Sequence, residues 1–464
     1  MNQASITILG AGISGLTTAY WLQQEGVSVR LLEARTEPGG SMQSVRKDGF
    51  LIDYGPNSGL DTTPLISQLV EELGLQDQLI YANPEAKKRY ILKNGRLLPL
   101  PTSPFAFLGT SLFSASAKFR LLKEPFIGRT DAERDVSIAE FVRHRLGDEF
   151  LQNAIDPFIS GIYAGDPEKL SVKSALPRLY ALEEKYGGLI RGAIAGARGR
   201  KKSPEKSKQK AQQFSFKEGM QTLPNALAKR MENAVEYGCR VEQISSRQGK
   251  YHISTKKEDG TTEILESDLL LSTIPAYRLS AAMRDMDMPL AEHLDALYYP
   301  PVMVLYLVFK RQAIRQSLDG FGFLIPGQER RSFLGAIWSS VIFSERTDGE
   351  HAAFTLFVGG SRNPGLLEQD LEARKEAVIR EFCEIMMIAE PDKPVLVDSK
   401  VWPKAIPQYN IGYQAHEAYF QQFEAAHPGF FLGGNFRGGI SVSDCIKNSG
   451  VQSARILDFV RSRA

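Results

Sequence analysis

A short apolar strand running into Gly10, Gly12 and Gly15, a second strand ending on Glu33, and a glycine-rich loop before a helix in the last 35 residues predict an α/β fold. The expected architecture is a Rossmann-like dinucleotide-binding domain assembled from both chain ends. An α+β unit and a helical unit are inserted between its parts. At 464 residues the chain is too long for one ordinary core, and two or three domains are expected.

Taken in order, SITILGAGISGLTTAYWLQQEGVSVRLLEA reads as strand, tight turn, helix, strand. Ile6 and Ile8 form a buried strand, Leu16, Ala19, Tyr20 and Leu22 share a helical face, and Val27–Leu32 make the second strand. Residues 101–199 read as largely helical. From Arg198 to Lys210 the chain is polar and basic and reads as a surface loop. Strands are expected at Tyr251–Thr255, Leu269–Thr273, Met303–Phe309 and Ala353–Val358, and a helix starts near Ser443. The expected division gives residues 1–86, 211–277 and 395–464 to the dinucleotide domain. Residues 87–100 and 278–394 go to a substrate domain, and 101–210 to a helical domain.

Composition narrows the class. The chain is 43% hydrophobic and 24% charged, with 56 Lys plus Arg against 54 Asp plus Glu, so nucleic acid is not an expected partner. Cys239, Cys383 and Cys445 form no C-x-x-C pair, so neither a metal knuckle nor a disulfide framework is expected. No run of about 18 apolar residues occurs, which argues against a spanning helix but not against a protein lying on a membrane.

The motif G-x-G-x-x-G carries most of the functional signal. Gly10 permits the tight turn, Gly12 lets the backbone approach a pyrophosphate, and Gly15 lets helix and strand pack closely. Ala11, Ile13 and Ser14 complete the turn over the helix N-terminus, where free N–H groups favour an anion. Glu33 can bind ribose hydroxyls and disfavours a 2′-phosphate, with Ala34 beside it. Further on, Gly40 and Ser41, then Gly55, Pro56, Asn57 and Ser58, supply second and third backbone approaches. This extension resembles the glutathione-reductase-like flavoproteins of the amine oxidase type. So does FFLGGNFRGGISVSDCIKNSGVQSA, in which Val442, Ser443 and Asp444 begin a helix. The resemblance implies non-covalent FAD, with that helix start aimed at the flavin. Cys445 is not expected to carry it covalently.

The middle of the chain, DPFISGIYAGDPEKLSVKSALPRLYALEEKYGGLIRG, resembles the protoporphyrinogen oxidase family, as do RYILKNGRLLPLP, GFGFLIP, IPQYNIGY and NFRGGISVSDCI. The resemblance implies FAD-dependent, six-electron oxidation of protoporphyrinogen IX to protoporphyrin IX in haem biosynthesis, with O2 reduced to H2O2. It implies that Arg89 binds a propionate, that Leu324 and Ile337 flank a pyrrole ring, and that Phe357 stacks on the facing ring. Trp402 matches a position near the flavin and Val241 one at the adenine end. Asn57 replaces an arginine of animal members. No catalytic acid–base residue and no metal is expected, since the flavin carries the chemistry. Alternatives are oxidation of coproporphyrinogen III to coproporphyrin III, an amine oxidase or carotenoid desaturase, and a non-catalytic tetrapyrrole carrier. Expected partners are the porphyrinogen and O2. A peripheral membrane contact, the next haem-pathway enzyme and a homodimer are further candidates. The expected location is the cytoplasm or the inner face of the cytoplasmic membrane. The uncharged stretch Pro99–Ser114, with Phe105, Phe107, Leu108, Leu112 and Phe113, and the basic run after it are the membrane candidates.

Overall fold

Short apolar runs at both ends of the chain meet in one five-stranded sheet. Its order is Val235–Glu236, Ser28–Leu32 (β2), Ser5–Leu9 (β1), Leu269–Ser272, Phe430–Leu432, and every pairing is parallel. This is a computed structural model, and it describes residues 5–199, 211–368, 370–389 and 393–463. The strands are short and apolar because helices cover them. Helix α1 (Ile13–Gln24) packs through Leu16, Ala19 and Leu22, and the long C-terminal helix Val442–Arg463 packs on it through Ile446 and Ile456.

A seven-stranded sheet lies beside this unit. Its order is Leu396–Trp402, Val302–Lys310, His351–Gly359, Gly335–Ile337, Gly320–Leu324, Lys88–Lys93, Arg96–Pro99. Strand alternation gives it two distinct faces. One bears Leu305, Leu307, Phe323, Phe354 and Leu356 and is sealed by Val378, Phe382 and Ile385 of the helix Leu371–Ile385. The opposite face turns toward the dinucleotide unit. There Tyr306 and Val308 pack on Phe50 and Ile52, and the Tyr306 hydroxyl donates to the Leu51 carbonyl at 3.0 Å.

Short helices fill most of residues 104–199. Ser114, Ser137 and Ser171 cap three of them through their hydroxyls. Arg145 is fully buried between Glu124 and Glu183, and Glu124 also accepts the Leu189 N–H at 2.7 Å, at the start of the helix Leu189–Gly199. The basic run falls mainly on residues 200–210, outside the described residues.

Packing departs from the expected boundaries in two places. Leu396–Trp402 joins the seven-stranded sheet by pairing with Val302–Lys310. The helix Ala276–Met283 packs against the strand Arg240–Arg247, and Met288–Asp295 packs on that helix, all within one core with Ile244 and Ile253. In both cases a sheet edge or face needed covering, a demand that sequence order does not reveal.

Candidate active site

The glycine turn is built for close approach. Gly10 has φ +97°, and a Cβ on Gly15 would stand 2.0 Å from the Gly10 carbonyl oxygen, so both positions exclude a side chain for internal reasons. Gly12 differs, because a Cβ there meets nothing within 4 Å. It caps α1 without a side-chain hydrogen bond, and the first turn holds no acid of its own. Unused N–H groups, from Ile13 onward, therefore face open space, a cradle that fits a pyrophosphate. Glu33 is buried behind the turn, accepting from the Ala11 N–H at 2.8 Å and the Arg35 N–H at 2.9 Å. Each of its oxygens keeps a second lone pair for a ribose hydroxyl. Val241 lies on the same side: the Cys239 N–H two residues before it donates to the Glu33 carbonyl at 2.8 Å.

The later residues expected at the cofactor converge on this turn. Gly12 and Gly39 form an isolated parallel bridge, and a Cβ on Gly40 would touch the Gly12 Cα at 3.4 Å. Gly55 passes against the Ser41 carbonyl, where a Cβ would stand at 1.8 Å. Asn57 is buried, and its amide donates to the Thr355 hydroxyl at 3.1 Å, tying the Gly55–Ser58 loop to the seven-stranded sheet. The Gln213 amide donates to the Ser58 hydroxyl at 3.3 Å. The C-terminal loop arrives from the other side. Ser443 bonds both backbone groups of Leu60, and the Ser441 hydroxyl accepts the Asp444 N–H at 3.1 Å. Cys445 is buried in the same helix, where loss of solvent pushes its thiol up to about 11.

Above the turn, the open face of the large sheet carries the other expected residues. Arg89 pairs with Gly322, Gly322 with Ile337, and Ile91 with Leu324. Leu324 pairs with Gly335 and Gly335 with Phe357, so Arg89, Leu324, Ile337 and Phe357 share one face across four strands. Strand residues on the sealed face are mostly fully buried, but Leu324, Ile337 and Phe357 are only half-buried. Half-exposed apolar side chains in central strands line a cleft rather than a core. Arg89 lies 5.3 Å from the centre of the Phe321 ring, and no ion pair engages it among the described residues. Its surface is open, yet the surroundings are crowded enough that loss of solvent pushes its guanidinium below the ordinary value.

Trp402 sits on the same face at the opposite edge, its indole N–H donating to the Tyr54 carbonyl at 2.8 Å. Asp398 bridges Lys47 and the Tyr54 hydroxyl. Burial would raise its carboxyl, but those hydrogen bonds and the Lys47 charge outweigh burial and hold it below the ordinary value.

Three features were not anticipated from sequence. Tyr409, deeply buried, accepts the Gly439 N–H at 3.0 Å and donates to the Asn435 carbonyl at 2.7 Å, bracing the glycine loop before the C-terminal helix. The helix Asp156–Tyr163 covers the cleft: a Cβ on its Gly161 would stand 2.5 Å from Leu324. Its Asp156 pairs with Arg362 at 2.8 Å. Lys400 reaches across to Gln43. The IPQY motif marked Tyr409 without revealing its partner, and spacing carried no signal for the others.

A doubly wound turn, an acid for ribose and a second glycine loop define a flavin-dependent oxidoreductase, with FAD as the cofactor. Residues 13–457 match the family described as flavin containing amine oxidoreductase. Protoporphyrinogen oxidase 2 of Arabidopsis thaliana is 31% identical, over 98% of this chain and 94% of its own length. Coproporphyrinogen III oxidase of Bacillus subtilis is 28% identical over 95% of each. Among solved structures, a candidate protoporphyrinogen oxidase from Exiguobacterium sp. 255-15 superposes with TM-score 0.81 at 25% identity, covering 98% of this chain and 99% of its own. UDP-galactopyranose mutase shares the fold at TM-score 0.74 and 17% identity, covering 99% of this chain and 94% of its own. The chain belongs to the flavin containing amine oxidoreductase family and, within it, to the porphyrinogen oxidases.

Proposed function

We propose that this enzyme oxidises protoporphyrinogen IX to protoporphyrin IX, with O2 as acceptor and H2O2 as co-product. The observation that carries the reading is the apolar platform of Leu324, Ile337 and Phe357 with Arg89, which has no ion-pair partner among the described residues, at its edge. A flat apolar macrocycle with carboxylate arms needs such a surface and such a cation. The flavin supplies a hydride acceptor, which no side chain can provide. In this reading the platform holds the ring flat, Arg89 fixes its register through a propionate, and the helix Asp156–Tyr163 keeps bulk water from the reacting carbon. Three two-electron oxidations at one site require the macrocycle to be re-presented between turnovers, and apolar contacts permit this better than a lattice of directional bonds.

Relatives named for both porphyrinogens keep coproporphyrinogen III as the second reading. Arg89 at the outer edge of the platform offers one guanidinium for a carboxylate arm, which favours the substrate with fewer of them. Steady-state rates on both test this: kcat/KM is expected to be at least about tenfold higher for protoporphyrinogen IX. A preference for coproporphyrinogen III reverses the assignment.

For location, the described residues contain no helix long and apolar enough to cross a membrane. Of the apolar stretch, Leu112 and Phe113 are core, packed with Ile91, and Phe107 is partly buried against them. Phe105 and Leu108 are exposed, as are Phe119, Leu122 and Phe126 of the next helices. We propose that these five side chains touch a bilayer peripherally. Vesicle flotation that survives high salt is the expected result, because apolar insertion is not screened. Absence of flotation on neutral and anionic vesicles alike contradicts it.

A further inference from the structure

Lys400 stands in the same transverse row as the platform. Leu324 pairs with Gly335, Gly335 with Phe357, Phe357 with Val304, and Val304 with Lys400. It is two strands beyond Phe357, a displacement of about 10 Å. Its ammonium lies over the rings of Trp402, at 4.8 Å, and Tyr54, at 5.3 Å. It donates to Gln43 Oε1, and Gln43 Nε2 donates to the Gly40 carbonyl at 2.9 Å. Among the described residues it has no carboxylate partner. Arg35 and Glu37, whose charges reach it with opposite sign, pair with each other, and Asp398 on the same strand is taken up by Lys47 and the Tyr54 hydroxyl. Burial first, and the Arg35 charge second, push its ammonium below the ordinary lysine value. A half-buried ammonium that bonds no carboxylate is costly unless an anion shares its site.

The neighbours decide which anion. Arg89 is five strands away, about 24 Å, so the two cations serve different ligand groups. Gln43, Gly40 and Tyr54 belong to the loops that close on the dinucleotide turn, so Lys400 faces the cofactor and not the propionates. The pyrophosphate already has the N-terminus of α1.

We propose that Lys400 is the fixed cation that offsets the negative charge gained at the flavin ring when substrate delivers its hydride. In that step a substrate C–H bond breaks and a hydride, one proton with two electrons, passes to the acceptor, which gains one unit of negative charge. An ammonium held by two aromatic faces and one amide oxygen stabilises that charge without reorganising. The inference rests on FAD as the cofactor and not on the choice of porphyrinogen.

Lys400→Met and Lys400→Arg, prepared as FAD holoproteins, test it with sulfite, which adds to oxidised flavin and leaves negative charge on the ring. Lys400→Met is expected to keep its FAD, to bind sulfite at least about tenfold more weakly, and to lower the two-electron midpoint potential by at least about 30 mV, the tenfold equivalent. Lys400→Arg should recover most of both. Dye-equilibrated potentials decide the matter where the adduct is too weak to titrate. An unchanged sulfite affinity and potential in Lys400→Met overturns the proposal. So does loss of FAD with an unchanged potential in the fraction that retains it, because the lysine would then serve the diphosphate.

Discussion

Arg89 and Gly12 differ from their neighbours in one respect: among the described residues, no acid pairs with Arg89 and nothing fills the space a Gly12 side chain would take. Lys88 beside Arg89 pairs with Asp319, and Tyr90 donates its hydroxyl to the same carboxylate, whereas Arg89 pairs with no acid among the described residues. The proposed role for it is to bind a substrate carboxylate. Arg89→Ala should raise KM about tenfold to a hundredfold, the worth of a charge-assisted bond, with a smaller change in kcat. Steady-state kinetics and thermal unfolding check this together. An unchanged KM, or a lowered Tm of the substrate-free protein, would assign Arg89 to the scaffold instead.

At the scale of elements, the first turn separates two kinds of glycine. Gly15 is needed by helix packing, since its Cβ position lies 2.0 Å from the Gly10 oxygen, while the Gly12 position is open. Gly12→Val should therefore give a folded protein that lacks flavin, and Gly15→Val a protein that unfolds at lower temperature. Circular dichroism and the flavin-to-protein absorbance ratio distinguish them. Equal losses of fold in both variants would contradict the distinction. The first βαβ unit was legible in the sequence because its period, glycine spacing and terminal acid are all local. The large sheet was legible only in part. Val302–Lys310 and His351–Gly359 show as apolar runs. Leu396–Trp402, with only Leu396 fully buried, gives no sign of the sheet it joins. Exposure divided the stretch Pro99–Ser114, sending Leu112 and Phe113 inward and leaving Phe105 and Leu108 outside. Residues of similar polarity cannot be sorted this way before the neighbouring helices are known.

In the whole molecule the strand Phe50–Asp53 and the loop after it join the glycine turn's unit to the open face of the seven-stranded sheet. These parts are stitched by contacts between distant residues. Asn57 meets Thr355, Tyr306 meets Leu51, and Arg346 reaches Asp53 at 2.9 Å. These contacts hold the loops beyond the glycine turn against the sheet that carries Leu324, Ile337 and Phe357. The family's membership and its FAD were readable from motifs, but the meeting of Arg89, Leu324, Ile337 and Phe357 on one face needed strand register. Whether a porphyrinogen binds within reach of the flavin is tested most directly by anaerobic titration. Six electrons per substrate and two per flavin mean that about one-third of an equivalent of protoporphyrinogen IX should bleach the bound flavin completely, while porphyrin absorbance appears in step. A flavin that stays yellow when excess porphyrinogen is added without O2 would contradict the account, leaving a protein that carries its cofactor but does not oxidise a tetrapyrrole.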